Sequence, residues 1–120
     1  MIININNTAT GVVCLCKNNQ GNVLTCYFPD IIKQTGKTCT CSILSDEDYK
    51  KFLDEKLNEE LAEYQESKSM EELADILEVI RAVAIARGSS PEEVESIRKT
   101  KAQNRGGFEK KILLEDVTVP

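Results

Sequence analysis

Asn58-Glu-Glu-Leu-Ala-Glu-Tyr-Gln-Glu-Ser-Lys-Ser-Met-Glu-Glu-Leu-Ala-Asp-Ile-Leu77 decides the fold. It holds the end of one helix-periodic run, a capping serine and the start of a second such run, so it reads as the tip of an antiparallel helical hairpin turning near Ser67. Upstream, at about 100° per residue, Tyr49, Phe52, Leu53, Leu57, Leu61 and Tyr64 form one stripe that should face a core. Downstream, Leu73, Ile76, Leu77, Val79, Ile80, Val83 and Ile85 leave the second helix apolar almost all round, the pattern of a helix covered on most sides.

Three serines mark the helix starts. Ser45-Asp-Glu-Asp48, Ser69-Met-Glu-Glu72 and Ser90-Pro-Glu-Glu93 each set a capping hydroxyl three residues before an acid, the last with proline at the first helical position. Gly88 and Arg105-Gly-Gly107 supply the stops. The expected helices are 46–66, 70–87 and 91–103, with a short strand at 111–114.

Composition changes sharply near Phe28: residues 1–27 carry a single charged side chain, Lys17, whereas the rest of the chain is dense in charge. Gly11-Val-Val-Cys-Leu-Cys16 and Asn22-Val-Leu-Thr-Cys-Tyr-Phe28 read as a β-hairpin closed by Asn18-Asn-Gln-Gly21. A short helical turn at 30–34 and a strand at 38–44 follow. The chain is 120 residues long and 41% apolar, enough for one domain with one core. The expected fold is therefore mainly α, a bundle of three main helices with a small N-terminal β-hairpin appendage.

A net charge of -5 argues against a dedicated duplex-DNA binder. Residues 98–111 nevertheless hold six basic side chains against Glu109 alone, a patch suited to a small polyanion. Residues 1–10 lack a basic start, the apolar run 11–16 is too short for a signal peptide, and no stretch approaches the roughly 20 apolar residues of a membrane span. A cytoplasmic protein is expected, with its five cysteines reduced. Cys14-Leu-Cys16 and Cys39-Thr-Cys41 place paired thiols on one side of a strand, and four converging sulfurs could hold zinc if those strands paired; small core residues are the simpler reading.

Glu60 falls near the middle of the first apolar stripe and Glu63 near its edge, and neither has a basic neighbour in sequence that obviously neutralises it. Burying an ionised carboxylate costs on the order of several kcal/mol unless it is paired, protonated or metal-bound. A hairpin would bring Glu60 and Glu63 opposite Glu72 and Asp75. Four carboxylates at close range repel, and a hard dication, Mg²⁺ or Mn²⁺, relieves that repulsion while keeping positions open for water and phosphate. Taken singly, Glu72 is also the acid of the Ser69 capping box, and Glu59 and Glu63 could be solvated surface acids. The constellation across two helices favours the metal.

Glu59-Glu60-Leu-Ala-Glu63 followed by Glu72-Leu-Ala-Asp75 resembles the motif of the all-α, MazG-like nucleoside triphosphate pyrophosphohydrolase superfamily. Ile43-Leu-Ser-Asp-Glu-Asp-Tyr49 and Arg105-Gly-Gly-Phe-Glu-Lys110 resemble its small single-domain branch; the similarity covers about 28–114, and 1–27 is divergent. The resemblance implies Mg²⁺ held by Glu60, Glu63, Glu72 and Asp75, with Glu59 orienting or deprotonating the attacking water and Lys56 neutralising phosphate. It implies hydrolysis of a ribo- or deoxyribonucleoside triphosphate to the monophosphate and pyrophosphate. Arg98, Lys101 and Arg105 are candidates for the triphosphate tail, although Lys101 could equally belong to a solvated basic face. Where the branch carries a basic Lys-Leu-Val-Arg-Asp-Lys-Ile-Pro-like segment, this chain reads Asn22-Val-Leu-Thr-Cys-Tyr-Phe-Pro29. The alternative is thus a catalytically weak or inactive nucleotide-binding or interaction protein on the same fold. The all-round apolar second helix also implies a homo-oligomer, dimer or tetramer.

Overall fold

The computed structural model describes residues 43–120 and, before them, the backbone of Ile2–Ile3, Cys16–Lys17, Val23–Leu24 and Cys41–Ser42. Three helices dominate the described residues: α1 (Asp46–Ser67), α2 (Met70–Ala86) and α3 (Pro91–Arg105). Each starts at an expected serine. The Ser45, Ser69 and Ser90 hydroxyls accept the backbone N–H of Asp48, Glu72 and Glu93 at 3.2, 3.3 and 3.1 Å, satisfying donors that the first turn leaves open. α1 ends where Lys68 adopts a left-handed φ of 57° and its N–H reaches the Tyr64 carbonyl at 2.7 Å. Gly88 and Gly106, with φ of 84° and 85°, turn the chain after α2 and α3, conformations that glycine adopts without steric cost.

Only Lys68 and Ser69 separate α1 from α2, so the two form a tight hairpin. Its antiparallel register follows from contacts at both ends: the Arg87 guanidinium bonds the Asp54 carboxylate at 2.9 Å, and Glu60 lies beside Glu72 and Asp75. The seam holds Leu53, Val79 and Ala84, all buried, together with the buried polar side chains Lys56 and Glu60. On α1 the covered positions include Phe52, Leu53, Lys56, Leu57, Glu59, Glu60, Glu63 and Tyr64, the three-and-four spacing of a helix seam. This differs from the stripe expected from hydropathy. Leu61 and Tyr49 face outward, because the line of contact with α2 passes through the charged side chains instead.

α2 is also less covered than expected. Leu77 and Ile85 are 61% and 62% exposed, because α1 lies against one side only and α3, which packs on α2, has no buried residue. The expected strand at 111–114 is absent. After a turn in which Lys111 N–H bonds the Phe108 carbonyl at 3.1 Å, residues 112–120 carry no regular structure, and Ile112, Leu113 and Leu114 are exposed. A strand needs a partner, and none of the described strands pairs with this segment.

Two antiparallel pairs of short strands precede the helices. β1 (Ile2–Ile3) pairs with β4 (Cys41–Ser42), in the register Ile2 to Ser42 and Ile3 to Cys41. β2 (Cys16–Lys17) pairs with β3 (Val23–Leu24), in the register Cys16 to Leu24 and Lys17 to Val23. The rest of the expected hairpin, the turn at 30–34 and residues 38–40 lie outside the described residues, and the strand expected to reach Leu44 stops at Ser42. The strands bearing Cys16 and Cys41 belong to separate two-stranded sheets, so the pairing of those strands that was considered for zinc is not the one formed; Cys14 and Cys39 lie outside the described residues. No described helix is long and apolar enough to cross a membrane.

Candidate metal centre

Toward the closed end of the hairpin, the fourth and fifth turns of α1 meet the first turns of α2. Helical spacing puts Lys56, Glu59, Glu60 and Glu63 on adjoining positions of α1, and the Ser69 cap fixes where α2 begins, and hence where Glu72 and Asp75 stand. Glu60 is the most enclosed of them, 2% exposed. Its carboxylate belongs to two groups whose oxygens lie within 4.8 Å of one another, Glu59–Glu60–Glu63 on α1 and Glu60–Glu72–Asp75 across the hairpin. The sequence-predicted ligands Glu60, Glu63, Glu72 and Asp75, with Glu59, thus fall into two overlapping groups that share Glu60, and neither group holds all four.

Glu60 does have a basic neighbour, contrary to the sequence reading. The Lys56 ammonium sits 3.2 Å from Glu60 Oε1 and 2.7 Å from Glu59 Oε2, one helical turn back. Among the described residues, that ammonium is the cation paired with a cluster of five carboxyl groups. The imbalance shows in their proton affinities. Burial foremost, then the charge of Glu60 and hydrogen bonding with Glu72 and Glu59, pushes the Glu63 carboxyl up to about 7. Burial likewise raises Glu72, with hydrogen bonding to Glu63 acting against it and the charges of Glu60 and Asp75 adding to it. Asp75 is raised by burial and by Glu60, against the pull of Lys56. Burial and mutual repulsion thus both disfavour ionisation of Glu63, Glu72 and Asp75.

The donor set suits a hard divalent cation: every group is a carboxylate, drawn from two helices and including one oxygen, Glu72 Oε2, that is buried with no hydrogen-bond partner among the described residues. Oxygen ligands of this kind suit Mg²⁺, Mn²⁺ and Ca²⁺.

The candidate phosphate-binding residues are placed differently. Arg98 is clamped by Glu95, with Nε 2.8 Å from Oε2 and Nη2 2.5 Å from Oε1, which holds the Glu95 carboxyl below its ordinary range. Lys101 and Arg105 stand exposed on α3. Among the described residues, no ion pair joins these three to the carboxylate cluster. Two features escaped the sequence reading, the Lys56–Glu60 and Glu95–Arg98 pairs, although both have the four- and three-residue spacings that bring helix side chains together. No protein-family model, no curated protein and no solved structure matches this chain.

Proposed function

We propose that the chain is a Mg²⁺-dependent nucleoside triphosphate pyrophosphohydrolase of MazG-like type, acting in the cytoplasm as a homo-oligomer and converting an NTP or dNTP to the monophosphate and pyrophosphate. The observation that carries this reading is the approach of Glu60, Glu72 and Asp75 carboxylate oxygens within 4.8 Å across two helices. The ordered acidic motif and the Arg105-Gly-Gly-Phe108 segment support it independently of geometry.

In this reading Glu60, Glu63, Glu72 and Asp75 hold Mg²⁺, or Mn²⁺ in its place. The cation supplies positive charge to the phosphate oxygens and lowers the pKa of coordinated water. Glu59, at the rim of the group, orients the attacking water and takes its proton. Water oxygen bonds to the α-phosphorus, the bridge between the α-phosphorus and the β-phosphate oxygen breaks, and pyrophosphate leaves with the bridging oxygen. Lys56, one turn before Glu60, would neutralise phosphate. Arg98, Lys101 and Arg105 serve the triphosphate tail, Arg98 after exchanging Glu95 for phosphate. Catalysis is then mainly positioning and charge stabilisation.

The test is a screen of ribo- and deoxyribonucleoside triphosphates with Mg²⁺, scoring pyrophosphate against inorganic phosphate. Pyrophosphate release that vanishes on chelation supports the reading; inorganic phosphate alone contradicts the site of attack. One observation favours the second reading, a nucleotide binder without efficient turnover: Asn22-Val-Leu-Thr-Cys-Tyr-Phe-Pro29 lacks the basic residues of the segment it resembles. That reading predicts Mg²⁺-dependent thermal stabilisation by nucleotide with no product.

A further inference from the structure

Directly after α3 the chain curls around a cavity. Gly106, at φ 85°, ends the helix with its N–H on the Ala102 carbonyl at 2.8 Å, and a turn closed by the Lys111 N–H on the Phe108 carbonyl follows, with Lys111 left-handed at φ 60°. Residues 105–112 line the resulting space of about 350 Å³, within the range of roughly 300–1,000 Å³ typical of small-molecule sites.

Three features of this lining suit one kind of ligand. Arg105, Lys110 and Lys111 bring positive charge, and among the described residues none of them enters an ion pair, whereas Glu95 clamps Arg98 and the acidic cluster holds Lys56. The backbone N–H groups of Gly107, Phe108, Glu109 and Lys110 bond no carbonyl among the described residues, although those of Gly106 and Lys111 on either side do. Successive open N–H groups beside cations attract oxyanions. Phe108, 98% exposed, adds an aromatic face on which a planar ring can stack. Glu109 is the acid of the lining. Its carboxylate packs against Gly107, where the Cβ of any other residue would collide with it, and it offers an acceptor to hydroxyl or amino groups that a bare oxyanion lacks.

We propose that the loop 105–112 is a nucleotide-binding site, with the base stacked on Phe108, the phosphates held by Arg105, Lys110, Lys111 and the open N–H groups, and Glu109 accepting from sugar or base. No residue of the acidic cluster lines the cavity, so binding here needs no metal ion; with the hydrolase reading it shares Arg105. A chain of net charge -5 disfavours a nucleic-acid strand, so the ligand is a free nucleotide.

Calorimetric titration of the full chain in EDTA tests this, with the four common ribonucleoside triphosphates set against tripolyphosphate, the free nucleosides and a short single-stranded oligonucleotide. At least one nucleotide is expected to bind about tenfold more tightly than tripolyphosphate, which lacks the base, and than its own nucleoside, which lacks the charge. Phe108→Ala should remove the preference over tripolyphosphate and leave tripolyphosphate binding unchanged. Lys111→Gly deletes a cation at a backbone position that suits glycine, so the turn is kept, and it should weaken nucleotide and tripolyphosphate alike by about fivefold. Both residues lie outside the helices, and helical circular dichroism should be that of the wild type. No binding in EDTA overturns the proposal, as does tripolyphosphate held as tightly as every nucleotide, or nucleotide affinity indifferent to either variant. An oligonucleotide held more tightly than any nucleotide overturns it too. Pyrophosphate release with Mg²⁺ is scored separately, so failure of this site and failure of the hydrolase reading are told apart.

Discussion

Lys56 carries a structural task before any catalytic one. Its side chain is 10% exposed and that of Glu60 3%, so the pair sits in the hairpin seam where an unpaired charge is expensive. Lys56→Met should cost about 3 kcal/mol in chemical denaturation without divalent cation, and Mg²⁺ should return part of it by taking over Glu60. Glu63 gives a pH signature. Its folded-state pKa of about 7 lies above its ordinary 4.5, so its contribution to stability is present below 4.5 and is lost as pH rises through about 7. A cation displaces that proton, so Mg²⁺ affinity should rise with pH through the same window. The Mg²⁺-induced increase in Tm should accordingly be larger at about pH 8 than at about pH 5.5; equal increases would mean that Glu63 is no ligand. The carboxylates were legible in the sequence because they interrupt an apolar stripe. Their counter-ion was overlooked because its spacing resembles that of any surface pair.

Helix boundaries could be read closely because their causes are local. A serine hydroxyl, an acid three residues on and a glycine after the last turn act over a few residues and need nothing from the rest of the chain. Ser69→Ala and Ser90→Ala should each cost about 1 kcal/mol by thermal or chemical denaturation. Ser69→Ala should weaken cation binding as well, since the same cap fixes Glu72, whereas Ser90→Ala should not. The strand expected at 111–114 failed for the opposite reason. Its composition was right, but a strand is defined by a neighbour, and no local signal says whether one exists. The α1 stripe failed in part because hydropathy ranks Leu61 above Lys56, while the geometry of the contact with α2 selects the lysine.

At the scale of the whole molecule, the three helices described do not enclose their own apolar surface. The hairpin buries Leu53, Val79 and Ala84, while α3 buries nothing and leaves α2 open on one side. The sequence announced that α2 wanted cover all round; it did not say where the cover comes from, because hydropathy is blind to topology. What the fold does secure is the meeting of α1 and α2, held by a two-residue turn, a capped start and the Arg87–Asp54 pair at the far end. The proposed hydrolysis rests on that meeting giving a joint cation site. Mn²⁺ binding followed by electron paramagnetic resonance tests it most directly, on wild type, Glu60→Gln from α1 and Asp75→Asn from α2. The account predicts saturable binding to the wild-type chain and at least about a hundredfold weaker binding in either variant, because ligands from both helices share the ion. Binding that survives both substitutions unchanged, or no saturable binding at all, would contradict it.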